Sequence, residues 1–239
     1  MIALVNYADD RMTISQKVCS ESSLKYGVDK VFSYGPEDIS DEFLRFNPVL
    51  KEDRGAGYWL WKPYFINRVL MQLQDGDVLI YSDCGVEWVT PVEEIVRVMD
   101  QDIFLFSNGH QHVHWCKCDV LVGIIPAIDD QIGLTLLQQV QASVIFFKVN
   151  QATRDFVKEW LLWCQMPGFI DDSPSKLPNH PEFAEHRHDQ AVLTCLQIKY
   201  NYRLHWWADR LWYESQRYRW PEDKYPSMFK HHRKRNNEW

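Results

Sequence analysis

The sequence lacks the glycine motifs that mark several large enzyme classes. No G-x-G-x-x-G follows the first apolar run, which argues against a dinucleotide-binding fold, and the absence of G-x-x-x-x-G-K-[ST] excludes a P-loop kinase or ATPase. G-x-S-x-G is also missing, so an α/β-hydrolase would have no nucleophile elbow. The candidates that remain for chemistry are acidic residues at strand ends and basic residues that can meet phosphate.

A surplus of positive charge and a disulfide framework are missing as well. The formal net charge of -7 argues against a general nucleic-acid-binding protein. Cys116-Lys-Cys118 is the only close cysteine pair, and no second pair at zinc-ligand spacing accompanies it. We therefore expect reduced thiols rather than disulfides or a structural zinc site. The six cysteines stand at positions 19, 84, 116, 118, 164 and 195.

Long apolar runs are scarce. The N-terminal MIALVNYADD has neither the basic region nor the long apolar core of a signal peptide. The longest apolar run, near Val120 to Ile128, is too short to span a bilayer. These features predict a soluble cytoplasmic protein without a transmembrane segment, and they leave a peripheral association with a membrane open.

Apolar runs do alternate with helical patterns, chiefly in the first half of the chain. With 239 residues and 46% hydrophobic content, one large domain can bury a substantial core. Strand–helix alternation predicts an α/β fold, in which a mostly parallel central sheet carries helices on both faces. The later half is less regular and is expected to add an antiparallel edge and an acceptor side. The predicted strands are 2–7, 31–34, 77–83, 103–106 and 143–149, and the clearest predicted helices are 64–73, 151–165 and 188–200.

Local signals place several helix starts. Thr90-Pro91-Val92-Glu93 has the pattern of a capping box with proline at the first helical position, which predicts that a helix begins there. Asn150 can cap the helix 151–165, and Pro63 fits the first turn of the helix 64–73.

Asp83 ends the most apolar strand of the chain. The run from Asp77 to Asp83 has no polar alternation, so both faces of this strand should be covered. Ligands gather at the carboxyl ends of such strands, and a carboxylate there can hold Mg²⁺ or Mn²⁺ against a bound phosphate. The alternative is a solvated loop residue beside Gly85.

Two other segments offer charged groups for the same site. Asp189 opens a helix after a proline-rich loop and can act as a general base or hold substrate hydroxyls, although an acidic residue is also ordinary at a helix start. The basic run from Lys230 to Arg235 can bind a diphosphate and offer a histidine to a metal, or it can simply be solvated.

The stretch Arg54-Gly-Ala-Gly-Tyr-Trp-Leu-Trp-Lys-Pro63 combines charge with aromatic rings. Its glycines permit close approach of the backbone, and Arg54 and Lys62 can meet phosphate. Trp59 and Trp61 can stack on a base or sugar ring, or can pack beneath the loop. We expect at least one of the two to pack.

Together these motifs resemble the bacterial and viral polysaccharide glycosyltransferases of the GT-A (nucleotide-diphospho-sugar transferase) superfamily. The resemblance runs through most of the chain in the same order. It rests on RGAGYWLWKP (54–63), DGDVLIYSDCG (75–85), WCKCD (115–119), the strand from Gln141 to Lys148 with the Trp160-bearing helix, EHRHDQAVLTCL (185–196) and HHRKRNNEW (231–239).

The resemblance implies a metal-assisted transfer of a sugar from a UDP- or GDP-sugar donor to a glycan acceptor. Asp83 would hold Mn²⁺ or Mg²⁺ against the donor diphosphate, in the place of the usual D-x-D motif. Only one carboxylate is present here, because Gly85 stands two residues later. The resemblance therefore implies that His231 or His232 completes the metal site.

The same resemblance implies roles for the remaining candidates. Asp189 would face the transferred sugar or the acceptor, as general base in an inverting enzyme or as a hydrogen-bond partner of the sugar in a retaining one. The residues implied for donor binding are Tyr7, Arg54, Lys62, Asp83, Gln190 and Arg233. A single domain over 1–239 is expected, with a nucleotide-binding half (1–107) and a second half (108–239) that carries the acceptor side and a C-terminal closing segment.

Two other functions stay open at this point. A sugar-phosphate nucleotidyltransferase would show a glycine-rich loop with basic residues after the first strand, where this chain has Asn6-Tyr-Ala-Asp-Asp10. A non-catalytic module that binds glycan or nucleic acid would use the aromatic residues and the basic tail, without metal dependence or turnover of a donor.

Overall fold

The computed structural model describes residues 1–126, 137–209 and 225–239, in which a six-stranded sheet lies between two layers of helices. The strands are β1 (Ile2–Tyr7), β2 (Lys30–Tyr34), β3 (Val78–Ser82), β4 (Val86–Trp88), β5 (Ile103–Gln111), β6 (Gln138–Lys148), β7 (Leu204–His205) and β8 (Phe229–His231). The α-helices are α1 (Thr13–Lys25), α2 (Asp41–Phe46), α3 (Gly55–Tyr58), α4 (Trp61–Leu70), α5 (Glu93–Val96), α6 (Cys118–Ile124), α7 (Gln151–Cys164) and α8 (His188–Lys199).

The strand order of the large sheet is β2-β1-β3-β6-β5-β7. β1 is parallel to both of its neighbours, with Leu4 opposite Val31 on β2 and Ile80 on β3. β6 runs antiparallel to β3 and to β5, whereas β7 is parallel to β5. Five strands of this sheet therefore share one direction, which confirms the predicted mostly parallel α/β architecture.

The antiparallel strand is in the interior of the sheet, not at its edge as the sequence predicted. β6 pairs with β3 on one side and β5 on the other, so its backbone groups are satisfied on both sides. Its central residues from Ala142 to Phe147 are buried, which fits a strand covered on both faces.

The two faces of the sheet bury separate sets of apolar side chains. Alternation along β1 sends Val5 into the core packed by α4, α7 and α8, and Leu4 into the core on the opposite face, which Trp88 and Phe229 help to fill. Fully buried aromatic residues such as Trp160 contribute roughly 1.5–3 kcal/mol each through removal from water. The sheet is thus a rigid support for the residues at the carboxyl ends of its strands.

The local helix signals had mixed outcomes. Asn150 caps α7, because its side-chain oxygen accepts a hydrogen bond of 2.9 Å from the backbone N–H of Thr153. Pro63 lies in the first turn of α4, as predicted. A helix does follow Thr90, but the Thr90 hydroxyl donates to the carbonyl oxygen of Ser227 (2.6 Å) and α5 begins only at Glu93.

Among the described residues, no helix combines the length and the apolar character needed to cross a membrane.

Candidate active site

A cavity of about 650 Å³ opens where β1 and β3 end. Its walls come from the loops after these strands, from β5 and β6, and from the N-terminal end of α8. The segment 225–239, here called the closing segment, contributes His231 and Arg233. The cavity brings together eight of the residues that the sequence singled out: Tyr7, Arg54, Lys62, Asp83, Asp189, Gln190, His231 and Arg233. His232 is not among the cavity residues.

Asp83 is held in a fixed orientation at the end of β3. Its backbone N–H donates to the carbonyl oxygen of Ser143 (2.7 Å), and the Tyr81 hydroxyl donates to its Oδ1 (2.5 Å). Tyr81 is fully buried, and burial together with the nearby Asp83 raises the pKa of this phenol well above its usual range. The Asp83 side chain keeps 28% of its surface exposed, so the carboxylate faces the cavity while one oxygen is fixed from behind.

Lys62 lies between Asp189, the predicted catalytic residue, and Asp83, the predicted metal ligand. Its Nζ lies 2.9 Å from Oδ2 of Asp189 and 3.6 Å from Oδ1 of Asp83, and it donates to the carbonyl oxygen of Ala142 (3.2 Å). The side chains of Lys62 and Asp189 are only 4% and 5% exposed. Burial opposes the charge of Lys62, but Asp189 and Asp83 outweigh it, so the pKa of Lys62 is raised. Lys62 is therefore a buried counter-ion between two carboxylates.

Asp189 occupies the first turn of α8 and its position is fixed from several sides. Its carbonyl oxygen accepts a hydrogen bond of 3.0 Å from Nε1 of Trp160, and the preceding His188 has φ 48°. His188 Nδ1 donates to the carbonyl oxygen of Ile170 (2.7 Å), which holds this unusual backbone turn. Burial raises the pKa of Asp189 to about 6, although the charge of Lys62 opposes the shift. A carboxyl that titrates near pH 6 suits general-base work near neutrality.

Gln190, a predicted donor-binding residue, belongs to a polar network in the cavity wall. Sequence reasoning missed the other members of this network. Its Oε1 accepts from the backbone N–H of Ala142 (3.2 Å), and its Nε2 donates to Oε1 of Gln139 (2.9 Å). Asn108 Nδ2 donates to the same oxygen of Gln139 (2.9 Å). The signal in the sequence was the glutamine-rich start of β6, where alternation places Gln139 and Gln141 on the same side of the strand.

The short element α3, within the RGAGYW stretch, is a single left-handed turn and not a right-handed α-helix. All five residues from Gly55 to Trp59 have positive φ, between 50° and 93°, and the N–H groups of Tyr58 and Trp59 bond four residues back. A left-handed turn costs about 1–2 kcal/mol for each residue with a side chain, so Ala56, Tyr58 and Trp59 store strain beside the cavity. Such strain persists only where the surrounding structure fixes the backbone.

The surroundings of this turn explain how it is held. A Cβ at Gly57 would lie 2.5 Å from Cα of Leu50, so the turn is pressed against the backbone beneath it. Trp61 Nε1 donates to the carbonyl oxygen of Gly55 (2.9 Å), and its ring stacks on Tyr7 with centroids 4.1 Å apart. Trp61 thus packs, as expected for at least one of the two tryptophans.

At the rim of the cavity, Arg54 pairs with acidic residues of the proline-rich loop. Its guanidinium lies 3.0 Å from Asp172 and 2.9 Å from Glu185. The hydrogen bonds and charges of these partners raise the pKa of Arg54 against the opposing effect of burial. Arg54 thus connects the left-handed turn to the segment that precedes α8, and its predicted role in donor binding would require it to share its charge with these carboxylates.

The closing segment folds back onto the end of β3. β8 pairs with β4, and the backbone N–H groups of His232 and Arg233 both donate to the carbonyl oxygen of Gly85 (2.9 and 3.1 Å). A Cβ at Gly85 would lie 2.9 Å from Cα of Arg233. The second carboxylate of a D-x-D motif therefore has no room at this position, because the closing segment occupies it.

The end of the closing segment is attached to the first helix. Asn236 accepts a hydrogen bond from the backbone N–H of Ile14 (2.9 Å) and donates to Oγ1 of Thr13 (2.9 Å). Trp239 Nε1 donates to Oγ of Ser15 (3.0 Å). A residue from the far end of the chain thus satisfies a free N–H at the start of α1, and the closing segment spans from β3 to the loop after β1.

Solved structures of glycosyltransferases have a similar fold. WbbM, a bifunctional glycosyltransferase in its apo form, superimposes on 82% of this chain with a TM-score of 0.50 and 11% identity, and the match covers 37% of the WbbM chain. Mouse xyloside xylosyltransferase 1, also in its apo form, matches 100% of this chain and 99% of its own with a TM-score of 0.50 and 10% identity.

The chain has a GT-A glycosyltransferase fold. This confirms the fold that the sequence motifs implied. No protein-family profile matches the sequence, and no curated protein matches it either. The arguments for chemistry within this GT-A fold therefore come from the cavity itself.

Of the three predicted metal ligands, the structure brings only Asp83 and His231 to the cavity. Asp83 and His231 both line the cavity, and burial and the nearby Arg233 lower the pKa of His231 to about 4, so its imidazole is neutral at neutral pH. His232 instead packs its ring on Trp239, with centroids 5.0 Å apart. A carboxylate and a neutral imidazole are suitable ligands for Mn²⁺, so the chemistry of Asp83 and His231 fits such an ion, whereas His232 is not among the cavity residues.

Two other groups of metal-binding side chains occur among the described residues. His114, His180 and Glu182 meet at the surface, and His112, Cys116 and Cys195 meet in the core. In each group the potential ligand atoms lie within 4.8 Å of one another. Sequence reasoning considered Cys116 only with Cys118 and missed its neighbour Cys195, because the contact depends on how α8 packs against the segment after β5.

Proposed function

We propose that this chain transfers a glycosyl group from a nucleoside-diphosphate sugar to a hydroxyl group of an acceptor glycan. The observation that carries the proposal is the convergence of Asp83 and Asp189 on one cavity, with Lys62 between them. Two carboxylates, one from the end of a strand and one from the start of a helix, share one buried cation in this cavity. The GT-A fold provides the framework for this chemistry, and the cavity provides the groups.

The donor diphosphate is proposed to bind beside Asp83 and the closing segment. Arg233 lines the cavity there, and its Nε donates to Nε2 of His231 (3.3 Å), a hydrogen bond that must break before this nitrogen can bind an ion. Asp83 and His231 would hold Mn²⁺ or Mg²⁺, which when bound supplies positive charge to the departing diphosphate. Arg233 would add a second cation, and Tyr7 with its stacked partner Trp61 would face the nucleotide end of the donor.

Asp189 is proposed to face the transferred sugar. As an ionised carboxylate it can accept the proton of the attacking hydroxyl, or it can accept hydrogen bonds from hydroxyl groups of the sugar. Lys62 supports either role, because it keeps a buried carboxylate charged above pH 6 that would otherwise take up a proton. Gln190 and its partner Gln139 offer amide groups to the same sugar.

The acceptor and the pathway belong to the same proposal. The resemblance of the sequence motifs to polysaccharide glycosyltransferases favours a surface or capsular glycan as the product. The rim of the cavity offers Arg187, whose guanidinium lies 4.4 Å from the ring of Trp115, as a binding surface for a sugar chain. A cationic group stacked on an aromatic ring is suited to a hydroxyl-rich or acidic acceptor.

The experiment is a panel of nucleotide sugars, incubated with the protein in Mn²⁺ or in EDTA, with release of the nucleotide measured. We expect release from one donor or a small set, lost in EDTA and in Asp83→Ala, and retained in Asp41→Asn, which alters an exposed carboxylate of α2. Saturable glycan binding without any nucleotide release would instead favour a binding module. Release of pyrophosphate from a nucleoside triphosphate and a sugar phosphate would favour a nucleotidyltransferase.

A further inference from the structure

Three side chains with metal-binding atoms meet in the core, apart from the cavity. Nε2 of His112 lies 3.4 Å from Sγ of Cys195, and Sγ of Cys116 lies 3.8 Å from Sγ of Cys195. All three ligand atoms lie within 4.8 Å of one another, and the three residues are between 0% and 3% exposed. The other ring nitrogen of His112, Nδ1, has no hydrogen-bond partner among the described residues, so His112 meets the cluster through Nε2.

Two of the three distances match the edges of a zinc coordination polyhedron. With Zn–S bonds of about 2.3 Å, Zn–N bonds of about 2.0 Å and tetrahedral angles, two sulfur ligands lie about 3.8 Å apart and a sulfur and a nitrogen about 3.5 Å apart. The distances between the two sulfurs and between Nε2 and Sγ are close to these values. The three side chains can therefore supply three of the four ligands of a tetrahedral zinc ion.

We propose that His112, Cys116 and Cys195 form a buried site for a thiolate-binding divalent cation, Zn²⁺ being the ion that fits it. Binding would convert two thiols into thiolates and release two protons to solvent, while His112 stays neutral. Two thiolates, a neutral imidazole and Zn²⁺ carry no net charge, which is the condition that an apolar core requires. A monovalent soft cation would leave one uncompensated negative charge there.

The position of the cluster gives the ion a structural role. His112 is the first residue of a short 3₁₀ helix (His112–His114) that follows β5, and Cys116 lies two residues after this helix ends. Cys195 lies on α8, whose first turn carries Asp189. An ion held by all three would tie the segment after β5 to the helix that positions Asp189. The site is separate from the cation proposed at Asp83, so failure of one leaves the other untouched.

The competing account is a neutral cluster without metal. A thiol of Cys195 can donate to Nε2 of His112, and Cys116 can donate to Cys195, so the three groups can satisfy one another by weak hydrogen bonds. The two accounts differ in what happens when a thiolate-binding ion is added to the folded protein. Only the metal site produces sulfur-to-metal charge transfer and a rise in Tm.

The test uses the whole chain, reduced and stripped of metal by a chelator, and titrated with Cd²⁺ while near-ultraviolet absorption is recorded. We expect a cadmium–thiolate band that saturates at about one equivalent, is displaced by Zn²⁺, and is accompanied by release of about two protons. The band should persist in Cys164→Ser, a buried thiol of the same core, and in Cys84→Ser, the thiol that lines the cavity. It should disappear in Cys195→Ser and weaken at least about tenfold in affinity in His112→Gln.

Absence of the band in the folded wild-type protein would overturn the proposal without reference to any variant. A band that survives Cys195→Ser but is lost in Cys84→Ser would also overturn it, because the ion would then bind in the cavity. If Cys195→Ser does not fold, Cys116→Ala provides the same comparison from the loop side. A Zn²⁺-dependent rise in Tm for the wild type and Cys164→Ser, absent in Cys116→Ala, would support the structural role.

Discussion

At the scale of single residues, Lys62 has the strongest effect on the charge of the cavity, because it contacts both Asp83 and Asp189. The sequence predicted it as a phosphate contact, on the basis of its place in the RGAGYWLWKP motif. In the structure its Nζ is enclosed by Asp189, Asp83 and a backbone carbonyl oxygen, with 4% of the side chain exposed. Its single positive charge attracts both carboxylates and reduces the repulsion between them.

Removal of Lys62 should therefore be more costly than removal of an ordinary buried cation. We predict that Lys62→Met lowers the free energy of unfolding by about 3–5 kcal/mol, because it leaves a buried carboxylate without its partner. Lys62→Met combined with Asp189→Asn should recover about 2 kcal/mol or more of the summed loss, since the pair acts as a unit. Denaturant unfolding of the four proteins measures this coupling. Additive losses would show that Lys62 and Asp189 do not interact.

The titration of Asp189 predicts how turnover depends on pH. Its pKa of about 6 lies above the ordinary 3.8, so the carboxylate becomes protonated as the pH falls through 6. Nucleotide release measured as kcat/KM should rise with pH up to about 6 and level off above it. His231, at about 4, is neutral throughout this range. The pH at which kcat/KM reaches half of its plateau should therefore be the same in His231→Gln as in the wild type. A shift of this pH in His231→Gln would contradict the assignment to Asp189.

The same shift has a consequence for stability. Because the folded pKa of Asp189 is raised, the folded state binds a proton more tightly than the unfolded chain between pH 3.8 and about 6. The contribution of this group to stability therefore falls as the pH rises through that window and is constant above it. Asp189→Asn removes this slope from a plot of unfolding free energy against pH.

Individual site residues were predictable to the extent that position along an element determines them. Asp83 followed from its place at the end of an apolar strand, and Asp189 from its place at a helix start. The contact between Lys62 and Asp189 was not predictable, because it depends on the packing of α4 and α8 against the same face of the sheet. The separation of His231 from His232 likewise depends on the pairing of β8 with β4, which no local pattern in the tail reveals.

At the scale of elements, the left-handed turn from Gly55 to Trp59 shows what sequence reasoning misses. Its glycines predicted close approach of the backbone, and Gly57 does press on Leu50. Nothing in the sequence predicted that Ala56, Tyr58 and Trp59 would share positive φ values with the glycines. A strained turn of this kind is fixed by its contacts, chiefly the Arg54 ion pairs and the Trp61 hydrogen bond.

Ala56 and Gly57 provide a matched test of that strain. We predict that Ala56→Gly raises the free energy of unfolding by about 0.5–1 kcal/mol, because glycine adopts φ near 50° without the penalty that alanine incurs. Gly57→Ala should instead cost at least about 2 kcal/mol, since it adds a Cβ at positive φ and 2.5 Å from the Leu50 backbone. Both values come from denaturant unfolding. If the two variants changed stability equally, the turn would not be left-handed in solution.

The central sheet shows how far strand prediction extends. Apolar runs located β1, β2, β3, the first part of β5 and most of β6, and the strand–helix order predicted the parallel pairs. The insertion of β6 between β3 and β5 was not predictable, because an antiparallel strand covered on both faces has the same apolar pattern as a parallel one.

At the scale of the whole molecule, the cavity is assembled from the beginning, the middle and the end of the chain. β1 and β3 bring Tyr7 and Asp83 to one edge of the sheet, α8 brings Asp189, and the closing segment covers Gly85 with Arg233. The fold class and the order of the motifs could be predicted from the sequence because both depend on the order of segments along the chain. The cavity depends on contacts between distant parts of the chain, and it therefore required the structure.

The central claim is that Asp83 and Asp189 act on one donor molecule in this cavity, the first on the diphosphate and the second on the sugar. Steady-state nucleotide release from the preferred donor, compared in the wild type, Asp83→Asn and Asp189→Asn, tests it most directly. We predict that Asp83→Asn raises KM for the donor at least about tenfold and removes the response to Mn²⁺. Asp189→Asn should leave KM nearly unchanged and lower kcat at least about a hundredfold. Wild-type turnover of a donor that neither substitution alters would contradict the claim.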